Sequence, residues 1–216
     1  TDETWALSLH GYPRWELLRP SGTGPRGSGQ FAIFDPAGDR MIVYGPCRGN
    51  SFLYYPEDCS SEVWTLSLGT GMTWAERFPS GSPPDPGWPP TGFYDRPRRR
   101  LLVWNHFEVH ALALDPSPAW TTLESVGEIP SGRYDREFAF YAPQRDQMVI
   151  LNRTGGIWTA PLNRRSLEWR ALPAGATGPG YLREAFFDPD RDAVIAFDGR
   201  SGPVARIWSY DLSVAS

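Results

Sequence analysis

The chain has 216 residues, a net charge of −4 and 14% aromatic residues, with 22 Gly, 22 Pro and ten Trp. That length suits one domain, whose core would bury roughly 70% of the unfolded chain's surface, and the acidic balance weighs against a nucleic-acid partner. No stretch offers a dozen residues of clean helical period, and none approaches the ~20 apolar residues of a membrane-spanning helix. Every basic residue is Arg, a skew that suggests a GC-rich bacterial genome. With no signal peptide and no initiator Met, the sequence reads as a mature or excised segment.

In chain order, ETWALSL (3–9) gives an alternating strand around Trp5, and Trp15 follows ten residues later. FAIFDPAGDRMIVYG (31–45) reads as two strands joined by a turn with Asp35-Pro36, as a hairpin requires. VWTLSL (63–68) repeats the first strand around Trp64, with Trp74 ten residues on. FYDRPRRRLLVWN (93–105) is the next hairpin, and VHALAL (109–114) puts His110 in the Trp slot, with Trp120 ten residues on. FAFYAPQRDQMVILN (138–152), GIWTAPL (156–162) and EWRAL (168–172) give a third unit, with Trp158 and, eleven residues later, Trp169. EAFFDPDRDAVIAFDG (184–199) and RIWSYDL (206–212), with Trp208, begin a further one.

The third-strand slot thus recurs at steps of 59, 46, 48 and 50 residues, and eight of the ten Trp fall into two repeated slots. Four short strands per unit of about 45–50 residues is propeller spacing. The paired Trp are expected to pack within and between twisted sheets. Pro/Gly loops such as PSGTGPRGSG (20–29) and PSGSPPDPGWPP (79–90) connect the units. The sequence predicts one all-β propeller domain over 1–216, with units at about 1–20 (partial), 29–79, 91–124, 134–173 and 181–216 (partial). Two strands, three complete units and three further strands give 17, which suits about four blades or part of a larger ring. An incomplete ring would expose sheet edges and favour self-association.

In a divergent form, the chain resembles the kelch family of β-propellers. The residues that carry the resemblance are the apolar strands before Gly (MIVYG, 41–45; VIAFDG, 194–199), the VWTLSL-type strand with Trp ten residues later (TWAERF, 73–78), and PSGR (130–133) at a unit's opening. The resemblance implies four-stranded antiparallel blades whose first strand lines a central channel. The sequence departs from the family's double Gly after the second strand, having YGPC, VWN, ILN and FDG there.

The first unit carries an insertion, PCRGNSFLYYPEDCSSE (46–62), with both cysteines, Cys47 and Cys59, near its ends. A disulfide there would close a loop of about 13 residues, contribute on the order of 3 kcal/mol, and imply an oxidising compartment. Phe52, Tyr54 and Tyr55 inside the loop are candidate recognition residues, against the plainer reading that they cover a blade edge. Arg136-Glu137 and Arg183-Glu184 recur at the start of a first strand. By the resemblance they would reach the channel mouth, as ligand groups or as interblade ion pairs. Arg98-Arg99-Arg100 sits in a predicted turn and reads as solvated. His106, in the WNHFEVH turn, and His110, in the Trp slot, lie four apart in a strand-turn-strand segment; on a strand that spacing spans about 13 Å, which makes them a poor metal pair.

No nucleophile elbow, P-loop or HExxH motif occurs, and the adjacent His pair of copper-containing kelch-type oxidases is missing. No catalytic residue, metal site or cofactor is therefore assigned. The sequence favours a non-catalytic binding scaffold, secreted, periplasmic or on the cell surface, whose loops take protein or glycan. The alternative is a propeller-type carbohydrate-active hydrolase, lyase or oxidase, or its accessory domain.

Overall fold

Short runs of β-branched and aromatic residues, punctuated by Pro, Gly and Asp, form strands, and the helical elements among the described residues are two short 3-10 turns, Arg96–Arg98 and Leu212–Ala215. A computed structural model describes residues 3–27, 29–45, 59–85, 90–114, 116–130, 137–173, 182–199 and 206–215. A hairpin comes first, β1 (Thr4–Ser8) and β2 (Arg14–Leu18). The first blade is β3 (Phe31–Asp35), β4 (Arg40–Tyr44), β5 (Val63–Ser67) and β6 (Trp74–Arg77). The second is β7 (Thr91–Asp95), β8 (Arg100–Trp104), β9 (Val109–Ala113) and β10 (Ala119–Leu123). A short strand, β11 (Ser125–Gly127), precedes the third blade, β12 (Glu137–Ala142), β13 (Gln147–Asn152), β14 (Ile157–Pro161) and β15 (Leu167–Leu172). The fourth contains β16 (Leu182–Asp188), β17 (Ala193–Asp198) and β18 (Ile207–Asp211).

Within every blade, strands adjacent in sequence pair antiparallel, and the four sheets form a β-propeller. The first strands β3, β7, β12 and β16 are neighbours in that order. Eighteen strands are described rather than the 17 expected, because β11 pairs parallel with β15 and extends the third sheet to five.

One turn is built four times. The connections between first and second strands, 36–39, 96–99, 143–146 and 189–192, are all four residues long. Each ends on a left-handed residue: Asp39 (φ 43°), Arg99 (49°), Asp146 (50°) and Asp192 (49°). The carbonyls of these four accept the N–H of Leu68, Leu114, Leu162 and Leu212, each the residue just after its blade's third strand. Asp and Arg, with flexible polar side chains, take the conformation that a β-branched residue would resist.

A second repeated device links the blades. Ser21, just past the first hairpin, bridges in parallel to Thr73, and Ser80 bridges likewise to Ala119. Ser21 N–H donates to Met72 O and its carbonyl accepts from Trp74 N–H, both at 2.9 Å. Ser80 does the same with Pro118 (3.1 Å) and Trp120 (2.8 Å). β11 is the longer version of this strap, laid on the strand that carries Trp169. Gly22 (φ +80°), Gly81 (+83°) and Gly127 (+85°) end the straps, and a Cβ there would stand only 2.5–2.6 Å from the carbonyl oxygens of Trp74, Trp120 and Trp169. Glycine is required at these positions by both dihedral and space.

The core lies between blades. Leu101 and Val103 of β8 face Ile42 and Tyr44 of the first blade, whereas Leu102 and Trp104 of the same strand face Met148 and Ile150 of the third. Val149 and Leu151 face the fourth blade, with Val194 and Ala196. Period-2 alternation thus divides each central strand between two cores, which is why LLVW and MVIL read as unbroken apolar runs. The second Trp slot packs on the preceding blade with tilted rings: Trp120 against Tyr44 (centroids 5.3 Å) and Trp169 against Trp104 (5.7 Å). Such pairs add about 0.5–1.5 kcal/mol beyond area burial.

Candidate functional site

The propeller has two unlike ends. At the hairpin end lie the turns joining first to second strands, all of one length. At the loop end lie the connections from second to third strands, of 18 (Tyr44 to Val63), four (Trp104 to Val109), four (Asn152 to Ile157) and eight residues (Asp198 to Ile207). The first strands also begin at this end.

Glu137 opens β12 at the loop end and is only 4% exposed. Trp104 Nε1, at the end of β8, donates to Glu137 Oε2 at 2.5 Å, and His106 Nδ1 stands 2.8 Å from the same oxygen. Glu137 Oε1 is buried with no hydrogen-bond partner among the described residues. His106 is itself 7% exposed and has φ +76°, a left-handed conformation uncommon for a bulky residue. The turn holds it there: Asn105 Oδ1 accepts the N–H groups of Phe107 (3.3 Å) and Glu108 (2.9 Å). Phe107, next along, is 68% exposed. A carboxylate, an imidazole and an indole therefore converge between the second and third blades.

Of the other sequence candidates, Arg183 and Glu184 lie exposed on β16. Arg183 Nε donates to Gly199 O at 3.2 Å. The two Arg-Glu pairs do not occupy equivalent places. A register shift between Leu182 and Glu184 makes Leu182 the partner of Asp198, as Glu137 is of Asn152. Leu182 is the buried residue (1%) in the fourth blade, and Arg183 is the extra residue of the bulge. The signal was in the sequence: Glu184 stands one residue closer to its turn than Glu137 does. Phe52, Tyr54, Tyr55, Arg136 and Cys47 lie outside the described residues; Cys59 is buried. Sequence reasoning overlooked Trp104 and His106 as partners of Glu137.

His106 and His110 do not converge. His110 is buried in the Trp slot, with Nε2 3.2 Å from Glu108 Oε2 and Nδ1 3.3 Å from Thr122 Oγ1. Burial pushes its imidazole below the usual range, and Glu108 offsets only part of that. Among the described residues no group of three His, Cys, Asp or Glu could hold a metal ion.

At the hairpin end the charges join blades. Tyr94 donates to Asp35 Oδ1 (3.1 Å), Arg98 grips Asp146 through both Nη atoms (2.9 and 2.5 Å), and Arg145 Nε reaches Asp192 (2.6 Å). Asp95, fully buried, takes Arg98 and Arg100 at 3.1 and 2.7 Å. The predicted solvated turn is thus an interblade clamp. The Arg98 hydrogen bond holds the Asp146 carboxyl below its usual range, against a smaller opposing effect of burial. Burial, and then the hydrogen bond to Asp146, push the Tyr141 hydroxyl up to about 12.

No protein-family profile and no curated protein sequence matches the chain. Solved structures do. A protein described as a putative 6-phosphogluconolactonase from Bacteroides uniformis superposes with a TM-score of 0.57 at 10% identity, over 99% of this chain and 62% of its own. A protein from Lactobacillus plantarum gives 0.58 at 15% identity, over 99% of this chain and 62% of its own. Sqt1 of Chaetomium thermophilum gives 0.52 at 12% identity, over 83% and 43%. The chain spans less than two thirds of the length of each. Likeness at such identity concerns the fold: this chain is arranged as these β-propellers are.

Proposed function

We propose that the protein is a non-catalytic binding scaffold of the kelch-like propeller type, whose recognition surface is the loop end. The observation that carries this is the contrast between the ends. Four turns of identical length, each ending on a left-handed residue, fix one end, while connections of four to 18 residues crown the other. A rigid frame with variable loops at one end is how scaffolds separate stability from recognition. The ligand is protein or glycan, met by Phe52, Tyr54 and Tyr55 of the longest connection, with Arg183 and Glu184 exposed on the first strand of the fourth blade. A Cys47–Cys59 bridge would staple that connection and place the protein outside the cytoplasm; that Cys59 is not a free thiol supports it.

The test is a glycan array and a cell-surface protein panel probed with labelled wild-type protein and with Tyr54→Ala/Tyr55→Ala. Binding by the wild type that is lost in the variant, at unchanged Tm, is the expected outcome. Equal binding by both overturns the assignment of the loop.

A second reading is a propeller enzyme acting on carbohydrate. The His106–Glu137 pair favours it, since it sets a buried imidazole 2.8 Å from a buried carboxylate, residue types that serve as general acid and base. Turnover of a bound glycan that disappears in Glu137→Gln, with binding retained, would select it.

A further inference from the structure

The arginine turn of the second blade has a counterpart across the blade junction. Between the second and third blades, at the hairpin end, lies a cavity of about 410 Å³. Arg98 and Arg100 line one wall, from the turn before β8 and its first residue. Arg164 and Arg165 line the other, from the turn between β14 and β15. Leu123 and Leu167 lie among them and give the cavity an apolar lining. No other described turn between third and fourth strands carries such charge: the corresponding segment of the first blade is Leu68-Gly69-Thr70-Gly71-Met72. Among the described residues, two arginines line the groove between the first and second blades, Arg40 and Arg77.

The charges in the groove do not cancel. Four guanidiniums meet three carboxylates: Asp95 and Asp146, held by Arg98 and Arg100, and Glu168, held by Arg164 at 3.1 Å. Arg165 is exposed and makes no ion pair among the described residues. Arg100 uses only Nε on Asp95, so its two terminal nitrogens remain as donors. Arg98 is fixed by three hydrogen bonds, so this wall is preorganised rather than a flexible fringe. Arg100, anchored through Nε with donors to spare beside apolar side chains, suits a tetrahedral oxyanion better than a diffuse counterion cloud, and Arg164 and Arg165 bring exposed forks to the opposite wall. The protein as a whole is acidic, at −4, so this concentration of arginine runs against its average charge.

We infer that the groove between the second and third blades at the hairpin end binds a phosphate or sulfate group, with Arg100, Arg164 and Arg165 as its donors and Arg98 as the strut that positions the wall. The site is remote from the loop end and independent of the ligand proposed there.

Inorganic phosphate and inorganic sulfate are titrated separately into the intact chain, at constant ionic strength made up with chloride so that screening stays fixed. Binding is read by calorimetry, and by thermal shift against the chloride reference. Saturable binding with a raised Tm is expected for one or both anions, and their ranking tells whether a phosphate or a sulfate ester is the natural group. Arg164→Ser/Arg165→Ser, on an exposed turn, is expected to keep its Tm in chloride and to weaken binding by at least about tenfold. Arg14→Ser/Arg19→Ser removes the same charge from exposed positions on and beside β2 and should bind as the wild type does. Absence of a saturable response in the wild type overturns the inference, and so does equal weakening in the two double variants.

Discussion

Two histidines four residues apart have different fates, and the backbone decides them. His110 continues the alternation of β9 and takes a core slot where other units have Trp; His106 sits in the turn before it and is aimed at Glu137. Because burial depresses the His110 pKa, the unfolded chain takes up the proton first. Stability from the neutral imidazole is therefore present above the unfolded value of 6.5 and is lost as pH falls toward the lower folded value. Tm measured between pH 8 and 5 should fall on the acid side, and the unfolding free energy by no more than about 1.4 kcal/mol per pH unit for this one proton. His110→Phe should flatten that part of the profile; an unchanged profile would show that another group carries it. The sequence pattern identified His110 as a packing residue because its slot repeats. It could not identify Glu137 as buried, because burial there is imposed by Trp104 and His106 from the preceding blade, 33 and 31 residues away in sequence.

At the scale of elements, the antiparallel blade strands and their hairpin turns were legible, since alternation and Asp-Pro turns are local signals; β11 was not. The third blade's four strands match FAFYA, QMVILN, GIWTAPL and EWRAL. The straps were not legible: PSG reads as loop, and nothing within three residues says that its carbonyl will be taken by a Trp N–H of the next sheet. The bulge in β16 showed only as a one-residue difference in the spacing from Glu to turn, behind a repeated Arg-Glu. The strap glycines give a test of these longer-range contacts. Gly81→Ala meets both a positive φ and the Trp120 carbonyl at 2.5 Å, and should cost more than about 2 kcal/mol. Gly71→Ala has nearly the same φ, +80°, with nothing within 4 Å of the new Cβ. It should cost only about 1 kcal/mol. Denaturant melts of the two variants measure the difference, and equal costs would mean that the strap contact contributes nothing.

Across the whole molecule, burial is graded. Leu101, Leu102, Val103 and Trp104 in β8, and Met148, Val149 and Ile150 in β13, are fully buried. In the first hairpin Trp5 and Trp15 remain 50% and 65% exposed, and in β18 Ile207 is 67% exposed. Repeat architectures hold each unit through its neighbours, so units flanked on both sides should open last. Amide hydrogen exchange by mass spectrometry should show slowest exchange in β8 and β13, and exchange faster by orders of magnitude in β1, β2 and β18. Uniform protection would mean that the domain unfolds as one block. The repeat count anticipated this architecture; the gradient along it comes from which sheets have a neighbour on each face, and a single unit's sequence does not contain that.

The straps have a practical consequence for anyone exchanging pieces of this protein. The outer strand of each strapped blade is held by residues that belong, in sequence, to the stretch before that blade, so the joints of the sheet and the joints of the chain are staggered. A segment cut at the first residue of its inner strand, for instance at Thr91, would leave Ser80 and Gly81 behind and lose the clasp on Trp120. A segment cut at Pro79 would bring the clasp with it. Grafts between related propellers should therefore be spliced ahead of the strap, one connection earlier than the strand boundaries suggest.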